Sequence, residues 1–466
     1  MLLLIWCTFT FTDFEKPVHC VQMKILKSVP LVFFLLLFIS CASTDNTSDN
    51  VYNGLFDTNR VHEISIDIKE EDWQDLLANP VDKTKYEVSV TVDGERFDHV
   101  SMSTKGNASL THVASTDSDR YSFKINFTKY DKGRTYYGLD KLKLENLYHD
   151  PSYMEDYTSY RIISEAGGYA PLASYVWLKI NGEDYGLYLC VEEIDNGYLD
   201  RTQDGQGFLY KPEPKWMDQS KKVPETNSDP DNILAKFENR RAYFGSTDFG
   251  ANLVYTDDRI ESYSAIFDEA VNKSKEKDNI RLIEILKKLN RKEDLSSILN
   301  TSEIIGYFAG HNYTLSYDSY MGLPVHNFYI LEKNGVLSVI AWDYNDAFGS
   351  LLSRINPQMT EDEIISWDID SPLFGVEISD RPLWSWIAES PKYMEEYHAA
   401  LRTLLENYFE SGRAQKEMER VHKLIKPYVY KDPTSFCTTV EFEEGYSDLV
   451  NFCLKRTKSV RFQLDK

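Results

Sequence analysis

The sequence predicts an α+β fold, β-rich in its first half and helical toward its end. Two patterns carry the fold class. Between residues 62 and 211, apolar and polar residues alternate in short runs separated by turn dipeptides, as half-buried strands do. From residue 282 onward, helical apolar spacing takes over, with proline and glycine as punctuation. A third pattern, one late hairpin with polar residues at its open end, interrupts the helical half and marks where chemistry is expected.

The chain has 466 residues, with 51 Lys and Arg against 74 Asp and Glu, a formal charge of -23. That length suits two or three domains, or one large domain with insertions. Aromatic residues, at 14%, supply bulk for a core. The acidic balance argues against non-specific nucleic-acid binding, which depends on Lys and Arg neutralising phosphates. It leaves room for a basic protein partner.

Residues 1–41 read as a targeting segment. Met23-Lys24 and Lys27 make a basic start, and Leu31 to Ile39 an apolar run too short to span a bilayer. Phe38-Ile39-Ser40-Cys41 resembles a bacterial lipobox, in which Cys41 is acylated and becomes the mature N-terminus; residues 1–22 are then an over-extended start. Residues 42–58 form a polar tether, residues 59–350 the core, and residues 351–466 a helical remainder. The expected location is extracytoplasmic, at the cell envelope, with membrane attachment through lipid on Cys41. Cys190, Cys437 and Cys453 follow without a C-x-x-C spacing, which argues against zinc. Cys190 reads as a buried small hydrophobe, and Cys437 and Cys453 could pair in an oxidising compartment.

In order, His62 to Ile68 alternates as a strand, and Glu70 to Asn79 reads as a helix stopped by Pro80. Tyr86 to Val92 and Glu95 to Ser103 flank Asp93-Gly94, which favours a type I′ hairpin turn. Thr104 to Ser109 is a small-residue loop, with Asn107 in it, where backbone N–H groups can approach an anion and Lys105 adds a point charge. Tyr121 to Phe127 places Lys124 on one face, with Phe123 and Ile125 on the other. After the strand Leu142 to Leu147, a helix is expected from Asp150-Pro151-Ser152 through Ala166, ended by Gly167-Gly168. Tyr175 to Ile180 and Tyr185 to Val191 pair through Asn181-Gly182, and Glu192, Glu193 and Asp195 form a charged exit. Gly207 to Lys211 is one more strand, and Pro212 to Asp231 a polar loop. Leu282 to Leu289, Asp294 to Leu299 and Ser302 to Gly310 read as helices. Ser390-Pro391 opens a helix reaching about Phe409, Ala414 to Lys426 gives another closed by Pro427, and Tyr446 to Leu464 the last. No chemistry is read in the helices after Gly349.

The late stretch Tyr317 to Gly349 holds the densest signal. Phe328 to Leu331 and Val336 to Ala341 are apolar runs joined by Asn334-Gly335, a strong hairpin turn. The hairpin therefore sets Asn327, at one strand start, beside Asp343, just past the partner strand's end. Asp318 lies on the loop leading in. Two oxygen ligands plus a separate carboxylate suit a hard cation bound with a phosphate, and a base beside it.

Several stretches together resemble one family: KGNAS, SFKINF, YGLDKLKLEN, DPSYMEDYTSYRII, GGYAPLASYVWLKINGEDYGLYLCVEEIDNGYL, HNFYI and WDYNDAFG. In this order they are similar to the CotH kinase family of spore-coat-protein-H-like proteins, over about residues 62–350. The resemblance implies an atypical protein-kinase-like, two-lobed fold, with a β-rich small lobe and a helical large lobe. It implies phosphate transfer from ATP, with Mg²⁺ (or Mn²⁺), to Ser of a protein substrate that is basic or Ser-rich. On this resemblance Lys124 meets the nucleotide phosphates, Asp318 is the catalytic base, Asp343 the metal aspartate and Asn327 a second metal ligand. Lys105 and Asn107 join Lys124 in the nucleotide site. The acid holding Lys124 is left open among Glu155, Asp156 and Glu165. Many members read WDxDxxFG; this chain carries Asn345 at the second acidic position, with Asp346 beside it. The competing reading is a surface-anchored binding or adhesion lipoprotein that keeps the fold without turnover.

Overall fold

Seven strands alternate closely enough to pair edge to edge: β1 (His62–Asp67), β2 (Tyr86–Val92), β3 (Glu95–Lys105), β4 (Ser122–Asn126), β5 (Lys141–Glu145), β6 (Ala173–Ile180) and β7 (Glu183–Glu192). In the computed structural model, which describes residues 52–214 and 250–466, they form a closed barrel in the order β1-β2-β3-β4-β5-β7-β6. β6 runs parallel to β1, with Ile64 opposite Leu178, and makes the seam. Alternation reveals strands but not which edges meet, so closure was not foreseen; it leaves no unpaired edge. The targeting run, Cys41, nearly all of the expected tether and most of the loop after Pro212 lie outside the described residues.

The two expected hairpin dipeptides form as their chemistry requires. Asp93 and Gly94 have φ of 47° and 92°, and Asn181 and Gly182 have 50° and 86°, the left-handed pair that a type I′ turn needs. Ile64, Val90, Met102, Phe123, Ile125, Leu142, Leu144 and Cys190 fill the barrel. The complementary residues of β3, β4 and β5 are polar and point outward.

Helices α1 (Glu70–Ala78), α2 (Ala108–Val113) and α3 (Glu155–Glu165) lie between strands. The helix expected from Asp150 begins only at Glu155. Asp150 is buried and its Oδ2 accepts the Glu155 N–H at 2.8 Å, so it braces a turn before the helix. Burial raises its carboxyl to about 6, against hydrogen bonds that pull it down. The loop expected at Thr104 to Ser109 is shorter than read, since β3 runs on to Lys105 and α2 begins at Ala108.

After α4 (Asn196–Gln203), a second sheet forms from β8 (Phe208–Tyr210), β9 (Phe328–Lys333) and β10 (Val336–Ala341), in the order β10-β9-β8. Between β8 and β9 come α5 (Glu276–Arg291) and α6 (Thr301–Thr314). α6 approaches α3 closely because Gly306 and Gly310 lack side chains. A Cβ on Gly306 would meet Ala166 O at 2.5 Å, and one on Gly310 would meet Ile163 Cα at 2.7 Å. Glu303 of α6 is buried, and its carboxylate accepts Tyr169 N–H at 3.2 Å and Val339 N–H at 3.1 Å. It thereby ties the approach to β6 to β10.

The remaining chain is helical: α7 (Ser350–Ile355), α8 (Pro382–Ala388), α9 (Pro391–Leu404), α10 (Arg413–Val429) and α11 (Thr439–Leu464). Pro427 does not close α10 itself, since the helix runs on to Val429; it removes one i→i−4 hydrogen bond, and the helix ends two residues later. α11 starts well before Tyr446, at a capping box in which Thr438 and Glu441 satisfy each other's backbone N–H groups. Arg120 latches this end of the chain to the barrel. Fully buried, it donates to Asn146 O (2.9 Å), both Asp432 oxygens (3.0 and 2.9 Å) and Thr434 Oγ1 (2.7 Å). Cys190, Cys437 and Cys453 are free thiols, so the Cys437–Cys453 bridge is not formed. No helix among the described residues is long and apolar enough to cross a membrane.

Candidate active site

The polar outer face of the barrel is built by register. Directly opposed residues on antiparallel strands share a face. Ser103 opposes Lys124, Lys124 opposes Lys143, and Lys143 opposes Val191, so these four make one row across β3, β4, β5 and β7. One step along, Lys105 opposes Ser122 and pairs with Glu145. One step the other way, Asn126 opposes Lys141, and Leu142 opposes Glu192, which brings Lys141 level with Glu193. The face is therefore ruled in rows, with Lys105 and Glu145 at one end and Lys141 and Glu193 at the other.

The charges on this face are tightly coupled. Lys124 Nζ donates to Glu193 Oε1 at 2.9 Å, and Lys143 Nζ lies 3.2 Å from Glu193 Oε2. This corrects the expectation that a helix acid holds Lys124. Of the three candidates, Glu165 pairs with Arg161 and Arg413, Asp156 accepts Tyr344 N–H, and Glu155 Oε2 is buried without a hydrogen-bond partner among the described residues. Burial pushes Lys143 down to about 8; Glu193 pulls it up, while Lys105, Lys124 and Lys211 push it further down. Burial works to raise Glu193, yet Lys143, Lys124 and Lys141 hold it at about 2. Lys143 also sits 3.8 Å from the centre of the Trp342 ring, next to Asp343.

The hairpin supplies the opposite wall. Phe328 opposes Ala341, so Asn327 and Trp342 stand together at its open end, with Asp343 one residue on. Asp343 N donates to Tyr160 Oη of α3 at 3.1 Å, and Tyr344 N to Asp156 Oδ1 at 2.6 Å. Lys105 is desolvated by burial, but Glu145, Asp343 and Asp156 outweigh that and raise it. Asp343 likewise acts on Lys211. Asp343 thus acts electrostatically on the Lys105 end of the barrel face. Asp156, by contrast, is pushed well above the ordinary carboxyl range by burial and by Asp343 and Glu145.

Asp318 is held on two sides. His326 Nε2 lies 2.6 Å from Oδ1, and Asn327 Nδ2 donates to Oδ2 at 3.0 Å and to the backbone oxygen at 2.9 Å. Burial works to raise the carboxyl, but His326 and Arg354 outweigh it and keep it below its usual range. Burial would lower His326, and Asp318 and Glu213 raise it instead. Asp346 pairs with Arg354, and burial lifts it to about 6, with Asp318 and Asp343 adding repulsion. The loops carry left-handed non-glycine residues at Val325, Asn327, Asp343 and Phe348, with φ of 55°, 56°, 58° and 54°. For a β-branched valine this is a strained backbone, of the sort that persists where the surroundings over-determine it.

Of the expected residues, the structure brings Lys105, Lys124 and Asp343 into one electrostatic cluster, and Asp318 with Asn327 into a hydrogen-bonded pair. Asn107 Oδ1 accepts from Lys83 Nζ at 2.9 Å, and Lys83 in turn feels the charges of Lys105 and Lys211. Sequence reading gave no role to Lys143, Lys211, Glu145 or Arg354, and took Glu193 only as part of a charged strand exit and Asp346 only as the neighbour of Asn345. The alternation KLKLE could have shown Lys143 and Glu145, since it puts both on the polar face. Nothing local marked Arg354.

The chain matches the family model described as CotH kinase protein over residues 102–460. It belongs to that family. It is also similar to the inner spore coat protein H of Bacillus subtilis (strain 168), 22% identical over 325 residues, covering 68% of this chain and 75% of that protein.

Proposed function

We propose that this chain is an atypical protein kinase that moves a phosphoryl group from ATP to a Ser hydroxyl of a protein substrate, basic or Ser-rich. In this reading the barrel is the small lobe of a kinase-like fold and the helices carry the large one. The observation that carries it is the lysine cluster. Lys105, Lys124 and Lys143 stand on one barrel face, and Lys211, just after β8, acts on the same cluster and feels Asp343, in a chain with a net charge of -23. Four partly buried lysines, in excess over the Glu145, Glu193 and Glu213 carboxylates that pair with them, suit a polyanion.

Each residue has a task that its geometry suits. Lys105, which feels the charge of Asp343, would meet the terminal phosphates; Lys124 and Lys143 would meet the phosphate nearer the nucleoside. Asp318 accepts the proton of the Ser hydroxyl as its oxygen bonds to the γ-phosphorus and the bond to the β-phosphate oxygen breaks, leaving ADP. His326 and Asn327 hold that carboxylate ionised and aimed. Among the described residues no three-ligand His, Cys, Asp or Glu cage exists. That donor set still suits Mg²⁺, which favours one or two carboxylates completed by substrate phosphates over an all-protein cage. The unpartnered buried Glu155 Oε2 and the raised Asp156 and Asp346 mark a local deficit of positive charge. Asp343, with Asn327 Oδ1, would hold the cation, which supplies charge neutralisation at the phosphates when bound.

The relative's description as a coat protein favours a second reading, in which the fold serves assembly or adhesion. Calorimetry separates the two. Phosphotransfer requires ATP binding that depends on Mg²⁺ and disappears with excess chelator or in Asp343→Asn. Equal affinity with and without chelator would remove the metal site.

A further inference from the structure

His311 takes no part in the phosphate chemistry, yet both its nitrogens are committed beside it. It lies on α6, buried, and stacks on Tyr307 with ring centres 5.4 Å apart. Nδ1 lies 2.7 Å from Tyr344 Oη, and Nε2 lies 3.1 Å from Ser319 Oγ. Tyr344 directly follows Asp343, and Ser319 directly follows Asp318. One ring therefore spans the neighbours of the two carboxylates to which base and metal roles were assigned. An apolar ring would fill the same space without the cost of burying two polar nitrogens. What histidine adds there is two directional bonds.

The hydrogen bonds also fix how the ring is protonated. A hydroxyl has one proton to give, and Ser319 donates it to Ser316 O at 2.6 Å. Its oxygen must then accept from Nε2–H, as it accepts from Met321 N–H at 3.3 Å. Nδ1 is left without a proton and accepts from Tyr344 Oη–H. Burial pushes His311 down to about 3, so the ring is neutral near neutral pH. The result is a directed, buried chain from Tyr344 through His311 and Ser319 to the Ser316 carbonyl. Its metal-side end is pinned again by backbone: Asp343 N donates to Tyr160 Oη and Tyr344 N to Asp156 Oδ1, both on α3. Resting on the phosphotransfer reading above, we propose that His311 is a positioning residue, whose two hydrogen bonds set the spacing between the base Asp318 and the metal aspartate Asp343. It touches neither nucleotide nor acceptor. A displacement of about 1 Å at either carboxylate is enough to slow transfer about a hundredfold.

The test breaks each arm separately in the full chain, and measures Mg·ATP affinity by calorimetry and single-turnover transfer of labelled phosphate. Ser319→Ala cuts the base-side arm and should slow transfer about ten- to a hundredfold at unchanged affinity. Tyr344→Phe cuts the metal-side arm and should weaken Mg·ATP binding as well. In His311→Phe both losses should appear, and adding Ser319→Ala should cost little more, because that arm is already gone. His311→Gln, which keeps a donor near the Nε2 position, should restore part of the transfer lost in His311→Phe. ¹⁵N spectra of histidine-labelled wild type, with the His311 signal identified by its loss in His311→Gln, should show a neutral ring protonated at Nε2. A folded Ser319→Ala or Tyr344→Phe that keeps wild-type transfer overturns the proposal and leaves the site standing. So does a ring protonated at Nδ1, and so does an equal loss of affinity in both arms, the mark of a loosened core. The two single-arm variants decide the matter if the His311 variants do not fold. Wild type that neither binds Mg·ATP nor transfers label overturns the phosphotransfer reading itself, and this role with it.

Discussion

Replacing Asp318 by Asn isolates the chemical step from binding. The side chain keeps its size, and the amide can still accept from Asn327 and meet His326, which now hold it at 3.0 and 2.6 Å. What disappears is the carboxylate that, on the proposed function, takes the hydroxyl proton. His326 and Arg354 keep that group below the usual carboxyl range in spite of burial, so it is ionised and ready near neutral pH. Loss of a general base slows the reaction by about 10²–10⁴-fold, or about 3–5 kcal/mol in the barrier. Among the described residues Asp318 makes no hydrogen bond or ion pair to the lysine cluster, and the new amide oxygen can still accept from Asn327, so nucleotide affinity should change little. The assay pairs single-turnover transfer of labelled phosphate with calorimetric titration of ATP. Asp343→Asn should behave differently and lose binding and transfer together. If Asp318→Asn weakens ATP binding as much as Asp343→Asn, then Asp318 ligates the metal and the assignment of roles is wrong.

Four further outcomes follow from particular contacts. Arg120→Ala strands the buried Asp432 carboxylate and should cost about 3–5 kcal/mol, the range for breaking one side of a buried ion pair, read by chemical denaturation. Gly306→Ala drives a Cβ into the Ala166 carbonyl and should cost about 1–3 kcal/mol by overpacking; a neutral result would mean α3 and α6 do not pack as described. The Asp318–His326 pair should contribute fully between about pH 4 and 6.5, the unfolded values of its members. Because His326 is raised, its share is lost as pH rises through the folded value; because Asp318 is lowered, its share is lost as pH falls through its own. A His326→Gln variant should flatten that profile in thermal melts. If the lipobox-like run ending at Cys41 is acylated as expected, Cys41→Ala should move the protein from the membrane to the soluble fraction; unchanged partition would remove the lipid anchor.

Much of the fold was legible because local chemistry and tertiary structure agree. Tyr86–Val92 and Val336–Ala341 form as read, since alternation and Asn-Gly or Asp-Gly turns are local signals. Barrel closure was not legible, because the β1–β6 seam joins residues more than a hundred positions apart. In the site, Asp318, Asn327 and Asp343 announced themselves through the hairpin that gathers them. Glu193 did not: a strand-exit glutamate reads as solvated until the register shows three lysines beside it. The partner of Lys124 was sought on a helix by analogy, whereas the barrel supplies it from β7. The pairing of Asp346 with Arg354 was not legible, because it depends on how α7 folds back on the loop after β10.

The central claim is that the face shared by the barrel lysines and Asp343 transfers phosphate, and incubation with γ-labelled ATP tests it most directly. The full chain, with Mg²⁺ or Mn²⁺ and a Ser-rich basic acceptor peptide, should transfer label to the peptide or to itself. Asp343→Asn and Asp318→Asn should both abolish the signal. Label that appears equally in wild type and Asp343→Asn would contradict the account. So would a wild type that binds Mg·ATP yet leaves no label on itself or on any acceptor; it would assign this fold to binding instead.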